Sequence, residues 1–304
     1  MDTSSLVSLL NVTALVTIML SMGLQVKWQA VMASTRPMLL VVLGLLANYV
    51  LVPAVTLGLL YLFQADPMVS AGFFILAVCP GAPIGPPVTG IARGNVAWAI
   101  GMMTILAASS VFLSPALLSL LLGWTAPASN IRVDYLAILR TLLAAQMFPL
   151  AVGLCIHHGA PKLTQWIAGP VAVLANVLLL VLVGLIVATQ YDTLAAIRLR
   201  GWTGMSMLLL ATLAIGWFCG GPDVAVRKAL AVTTAARNAA VGLVIVTSNF
   251  AGTPAVTAVV AYSLVSILGA LGFGVLLGKV FSGVRSQVSG VSAQQSCQLL
   301  TPDS

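Results

Sequence analysis

Thr233-Thr234-Ala235-Ala236-Arg237-Asn238 lies inside a run of 50 residues, Ala229 to Gly278, in which Arg237 is the only charged side chain. A run of that length accommodates two membrane-spanning helices of about 20 residues each and puts Arg237 roughly halfway along the first. A guanidinium at such depth costs about 2.5–3.5 kcal/mol even on permissive insertion scales, so it implies a polar cavity or a partner beside it. A second irregular stretch stands in the first half of the chain, Cys79-Pro80-Gly81-Ala82-Pro83-Ile84-Gly85-Pro86-Pro87. Four prolines and two glycines within nine residues cannot continue an α-helix, yet apolar sequence flanks them on both sides. Interrupted backbone at membrane depth is tolerated only where protein or a cavity satisfies it. A broken span in each half, with a buried charge at one break, is the pattern of a carrier.

Composition sets the same frame. The chain is 60% hydrophobic and 6% charged, against about 25% charged in soluble domains, and its mean hydropathy is +1.11. The sequence describes an all-α polytopic membrane protein. It has no Glu, and its six Asp residues fall between or beyond the apolar runs. The net charge of +7 comes from Lys and Arg gathered at helix ends, which argues for membrane orientation and against a nucleic-acid partner. Cys79, Cys155, Cys219 and Cys297 have no metal-ligand spacing, so no metal site is expected. The first apolar run lacks a basic segment ahead of it and reads as a retained span instead of a cleaved signal peptide.

Charges and turn residues cut the chain into nine expected spans: 6–24, 38–65, 67–92 (broken), 96–122, 133–156, 163–190, 202–219, 226–249 (broken) and 253–279. From Ser282 the sequence is Ser/Gln-rich, and 282–304 is expected to be a disordered tail. With the N-terminus outside, the inner loops hold Lys27, Arg36, Arg93, Lys162, Arg227, Lys228, Lys279 and Arg285, and the outer loops hold Arg132, Arg198 and Arg200. That bias assigns an external N-terminus and a cytoplasmic C-terminus; the expected location is a bacterial inner membrane. One transporter domain is expected over 1–281, with inverted halves at 1–122 and 133–281, each ending unbroken, broken, unbroken.

The segment Gly72-Phe73-Phe74-Ile75-Leu76-Ala77-Val78-Cys79-Pro80-Gly81, continued by Ile91-Ala92-Arg93-Gly94-Asn95-Val96-Ala97, resembles the bile acid:sodium symporter family. Met19-Leu20-Ser21-Met22-Gly23-Leu24, Arg36-Pro37, Asn48 and Pro53 are similar to it as well, and Ala235-Ala236-Arg237-Asn238 falls where the family carries Gly-Met-Gln-Asn. The resemblance covers about residues 15 to 281. It implies a core of two broken helices that cross (38–122 and 202–279) and a panel that moves against it (6–24 and 133–190). The first of ten spans found in bacterial members would be missing.

Departures from the family pattern bear on mechanism. The positions matching the family's Ser-Asn sodium ligands are Gly85 and Pro86, and the next helix has Ala99 and Met103 where a Ser and a Thr are expected. Thr233 stands for the family Glu, Arg237 for its Gln, and Asn48 for another Gln. Sodium is a hard cation that wants several oxygens, so the usual two-sodium site is not expected and no cofactor is implied.

The expected function is secondary transport of a small organic anion. The alternative is a sodium-coupled symporter of organic anions or bile acids whose ions are held mainly by backbone carbonyls. A membrane sensor or receptor is the other class, but no loop between the spans is long enough to hold a soluble output domain. An enzyme is excluded, because the interiors of the spans offer no Asp, Glu, Lys or buried His. Candidate substrate-binding residues are Arg237, Asn238, Thr233, Thr234, Asn48, Gly85 and Pro86, with helix-breaking residues Pro80, Gly81, Pro83 and Pro87. Structural roles stand beside these: Arg237 capping carbonyls at a break, Asn238 capping the restarted helix, and the threonines bonding four residues back. Partners are the bilayer and the anion; oligomeric state is open.

Overall fold

In the computed structural model the described residues are 3–26, 32, 38–125, 135–189 and 191–298. Lys27, Trp28, Arg36, Pro37, Arg132 and Asp134 lie outside them. Among the described residues every element is a helix: α1 (Thr3–Gln25), α2 (Met38–Leu62), α3 (Pro67–Ala77), α4 (Gly85–Ile91), α5 (Val96–Thr125), α6 (Tyr135–Gly159), α7 (Pro161–Thr189), α8 (Tyr191–Ala195), α9 (Leu199–Cys219), α10 (Val224–Ala235), α11 (Ala239–Asn249) and α12 (Pro254–Gln298).

Among the described residues, seven stretches are long and apolar enough to cross a membrane, and the stretches Leu9–Gln25 and Pro67–Ala77 are apolar but shorter. Within the stretch Val224–Asn249, spanning α10 and α11, residues 228–246 are all buried, whereas α7 is mostly exposed and therefore peripheral. The helix α12 runs on to Gln298, past the point where the sequence predicts a disordered tail. No proline interrupts 255–298, so nothing in that segment forces the helix to stop.

Two prolines leave a visible mark inside spans. A π-helical turn at Ala47–Leu51 precedes Pro53 in α2, and another at Leu143–Met147 precedes Pro149 in α6. Proline has no N–H and its ring crowds the carbonyl four residues back, and a wider turn accommodates that gap in the ladder.

Packing divides the helices into two groups that meet along α1 and α6. The first group is α1 with α6 and α7; Gly23 and Gly153 bring α1 and α6 together so closely that a Cβ at Gly23 would lie 2.9 Å from the Gly153 Cα. In the second, α3 packs on α12, α9 on α10, and α4 on α5 and α10. Polar bonds join the groups: Asn11 donates to Thr247 at 3.1 Å, and the Gln146 amide donates to the Ala107 carbonyl at 2.6 Å and to the Ser110 hydroxyl at 2.9 Å. Both broken helices start alike. Asp66 caps α3 through the Met68 N–H and Asp223 caps α10 through the Ala225 N–H, each at 2.8 Å.

Candidate binding site at the helix breaks

The first break follows from proline chemistry. Pro80 cannot donate to Leu76, so the last turn of α3 tightens instead, with the Cys79 N–H bonding Leu76 at 3.2 Å. The chain is non-helical from 78 to 84 and helical again at Gly85. Pro86 and Pro87, expected in the interruption, lie within the first turn of α4 instead. The first N–H groups of a helix have no internal partner, so proline is tolerated there. Pro80, Gly81 and Pro83 do lie in the break. Gly81 has φ +85°, which favours glycine, and an added Cβ would lie 2.7 Å from the Ala107 nitrogen.

The second break is shorter. The helix α10 ends at Ala235, Ala236 is extended (φ −74°, ψ 112°), and Asn238 (φ −75°, ψ 86°) caps α11 by accepting from the Val241 N–H at 3.3 Å. The two breaks touch. The Asn238 N–H donates to the Cys79 carbonyl at 3.0 Å and its side-chain amide to the Gly81 carbonyl at 3.4 Å. Arg237 Nη1 donates to the Ala77 carbonyl at 3.3 Å and Nη2 to the Thr234 carbonyl at 2.6 Å. The two interruptions are therefore adjacent, as expected, well within the ~10 Å that separates neighbouring helix axes.

These bonds account for most of the carbonyls freed by the first break. Ala77 is taken by Arg237, Cys79 and Gly81 by Asn238, Val78 by the Ser114 hydroxyl at 2.5 Å, and Ala82 by the Gly85 N–H at 3.0 Å. Arg237 itself is 1% exposed, its Nε has no hydrogen-bond partner, and no carboxylate pairs with it among the described residues. Both its structural role at carbonyls and its lack of a counter-charge are thus visible together.

A cavity of about 500 Å³ opens beside the breaks. Ala82, Pro83, Ile84, Pro86 and Pro87 line it from the first break and the start of α4, Arg237, Asn238, Ala239 and Ala240 from the second, and Ile100 and Met103 from α5. The opposite wall comes from α1 (Ile18, Ser21, Met22, Gln25) and α7 (Ala172, Ala175, Asn176, Leu179). The cavity therefore lies between the two packing groups.

Of the predicted site residues, Arg237, Asn238 and Pro86 line this cavity; Asn48, Thr233, Thr234 and Gly85 do not. The Thr233 hydroxyl donates back to Ala229 at 2.9 Å and to Leu230 at 3.2 Å, within its own helix. Asn48 donates to the Gly44 carbonyl at 2.9 Å and to the Thr234 hydroxyl at 3.3 Å, joining α2 to α10 behind the break. Gly85 packs against Thr233, and an added Cβ would meet the Thr233 methyl at 3.0 Å. Ala99 is fully buried in an apolar cluster with Tyr49, Trp98, Met102 and Leu106.

Three polar lining residues, Ser21, Gln25 and Asn176, were not singled out by sequence. Gln25 donates to the Ser21 hydroxyl at 2.8 Å, one helical turn away. Asn176 is the only polar side chain between Ile167 and Ala188, a signal that was available in the sequence. Lys228, counted with the basic loop residues, is 3% exposed and donates to the Ala92 carbonyl at the end of α4 at 3.0 Å. A cation at a helix C-terminus is favourable there.

A profile of the Sodium Bile acid symporter family matches residues 12–197. The chain is 25% identical over 237 residues to a probable sodium/metabolite cotransporter, chloroplastic, of Arabidopsis thaliana, covering 76% of this chain and 58% of the plant protein. It is 24% identical over 245 residues to an uncharacterized sodium-dependent transporter of Bacillus subtilis (79% of this chain, 74% of the relative). It is also 26% identical over 168 residues to a sodium-dependent organic anion transporter of Bos taurus (55% and 44%). The chain thus spans little more than half the length of the plant relative and less than half that of the bovine one.

Proposed function

The chain belongs to the Sodium Bile acid symporter family, and from that premise we propose that it is a secondary transporter carrying a small organic anion by alternating access. The observation that carries this reading is Arg237, a buried guanidinium at a cavity wall with no carboxylate partner among the described residues. An unpaired buried charge costs several kcal/mol, so an anion arriving in the cavity is the natural counter-charge. Asn238 and the restarted α11 add donors and the positive end of a helix dipole.

In this proposal nine spans cross a bacterial inner membrane with the N-terminus outside, the two shorter apolar helices completing the count. The halves 1–122 and 133–281 are inverted repeats, with a panel of about 6–24 and 133–190 rocking against a core of about 38–122 and 202–279. The cavity lies at the join of these bodies, where alternate exposure needs it.

The usual two-sodium site is not used. Met103 and Pro86 face the cavity without side-chain oxygens, Ala99 sits among apolar residues, and Thr233 fills the space beside Gly85. The second reading, sodium held by backbone carbonyls, is favoured by the relatives of Bacillus subtilis and Bos taurus, both named as sodium-dependent transporters. Against it, Ala77, Val78, Cys79, Gly81 and Ala82 already accept bonds from within the protein.

Thermal unfolding of the purified protein against a panel of small carboxylates and sulfonates, in sodium and in potassium, tests the proposal. A ligand that binds only the folded state raises its apparent stability. At least one panel anion is expected to raise the unfolding temperature equally in both salts. Stabilisation by no anion, or only with sodium present, would overturn it.

A further inference from the structure

A second cavity, of about 580 Å³, lies away from the breaks, between the C-terminal turns of α2, the start of α3 and the start of α9. Its inner wall is apolar: Leu59, Phe63, Phe73, Gly204, Met205 and Leu208. Its rim is charged, with Arg198, Arg200 and Asp66. Just outside the rim, Tyr61, Leu62 and Leu199 are exposed, as expected of side chains facing acyl chains at the edge of a membrane. The crevice therefore runs from a polar interface into hydrocarbon.

The rim carries one positive charge in excess. The carboxylate of Asp66 is engaged in capping α3, its Oδ1 accepting from the Met68 N–H at 2.8 Å. Arg200 donates through Nη2 to the Phe63 carbonyl and stands 6.0 Å over the Phe63 ring, fixing one wall while leaving Nη1 and Nε for an anion. Arg198 is the N-cap of α9 and makes no side-chain capping bond, so the positive end of that 21-residue helix lies beside Arg198 and Arg200 at the rim. Two arginines, a helix N-terminus and an apolar slot beneath them match one chemistry: a phosphate joined to acyl chains.

We propose that this crevice binds an anionic phospholipid of the adjacent leaflet, with its phosphate on Arg198 and Arg200 and an acyl chain along the slot beside Gly204. The site shares no residue with the cavity at the helix breaks, so it stands whether or not that cavity carries an organic anion.

The test uses delipidated full-length protein in a neutral detergent, with dioleoylphosphatidylglycerol or dioleoylphosphatidylcholine added and bound lipid counted by native mass spectrometry. Phosphatidylglycerol is expected to bind at least tenfold tighter than phosphatidylcholine. Arg198→Gln removes a charge that makes no side-chain capping bond to α9 and is expected to abolish that preference. Gly204→Leu is expected to weaken both lipids by filling the slot; a Cβ at Gly204 would meet nothing closer than the Phe63 ring at 3.8 Å, so the backbone tolerates it. Glycerol phosphate and inorganic phosphate should not compete, since neither has an acyl chain. Equal binding of the two lipids, parental binding by both variants, or displacement by free phosphate would each overturn the assignment.

Discussion

The two helix breaks are built from opposite chemistry. The first is seven residues long, carries Pro80 and Pro83, and exposes carbonyls with few N–H groups to match. The second is three residues long and brings donors: the Arg237 guanidinium, the Asn238 N–H and the Asn238 amide. Each break would be costly alone, because unpaired backbone groups at membrane depth cost several kcal/mol apiece. Placed together they satisfy one another. The difference teaches how broken backbone can be satisfied from within the protein: the Ala77 carbonyl is met by the Arg237 guanidinium, and the Cys79 and Gly81 carbonyls by Asn238.

That comparison breaks most severely at Gly81. Gly81→Ala should destabilise the fold by about 1–2 kcal/mol from the left-handed backbone alone, with the contact against the Ala107 backbone adding about 1–3 kcal/mol of overpacking. A lowered unfolding temperature checks it, and an unchanged one would mean that the acceptor strand adapts freely.

On the donor side, Arg237→Gln keeps an amide that can bond one carbonyl and removes the charge. Anion affinity should fall more than tenfold, in line with the ~1.5–3 kcal/mol of a hydrogen bond to a charged group, while the variant still inserts and folds. Isothermal titration with the anion that stabilises the parent measures this. An equal affinity would leave Arg237 as a brace only.

Asn238→Ala removes the α11 cap and the bond to Gly81, and should cost about 1 kcal/mol of stability. Thr233→Val is the small-effect control. Its hydroxyl serves only its own helix, so stability should move by no more than about 0.5 kcal/mol and anion affinity by less than twofold. A large loss of affinity in Thr233→Val would place the site deeper than the cavity beside Arg237.

The breaks were legible because proline clusters and a lone arginine are local signals, read without knowing the neighbours. Pro86 and Pro87 were misplaced for the same reason: composition says that a helix cannot run through them, but not that one can begin there. Thr233, Thr234 and Asn48 share sequence neighbourhood or family position with the site, yet their side chains turn to carbonyls and to each other. Which face of a helix meets a cavity depends on packing between distant segments, and no periodicity within α10 records it. Ser21, Gln25 and Asn176 belong to the opposite wall for that reason too. The buried Lys228 looked like a loop charge because it follows Arg227, while its partner, Ala92, is distant in sequence.

In the transporter we propose, Arg237 supplies as a fixed charge what a bound cation would otherwise supply. The most direct measurement is uptake of the stabilising anion into proteoliposomes in which potassium replaces sodium on both sides. Undiminished uptake by the parent protein, lost in Arg237→Gln, is the predicted result. Uptake that needs a sodium gradient and persists in Arg237→Gln would contradict it.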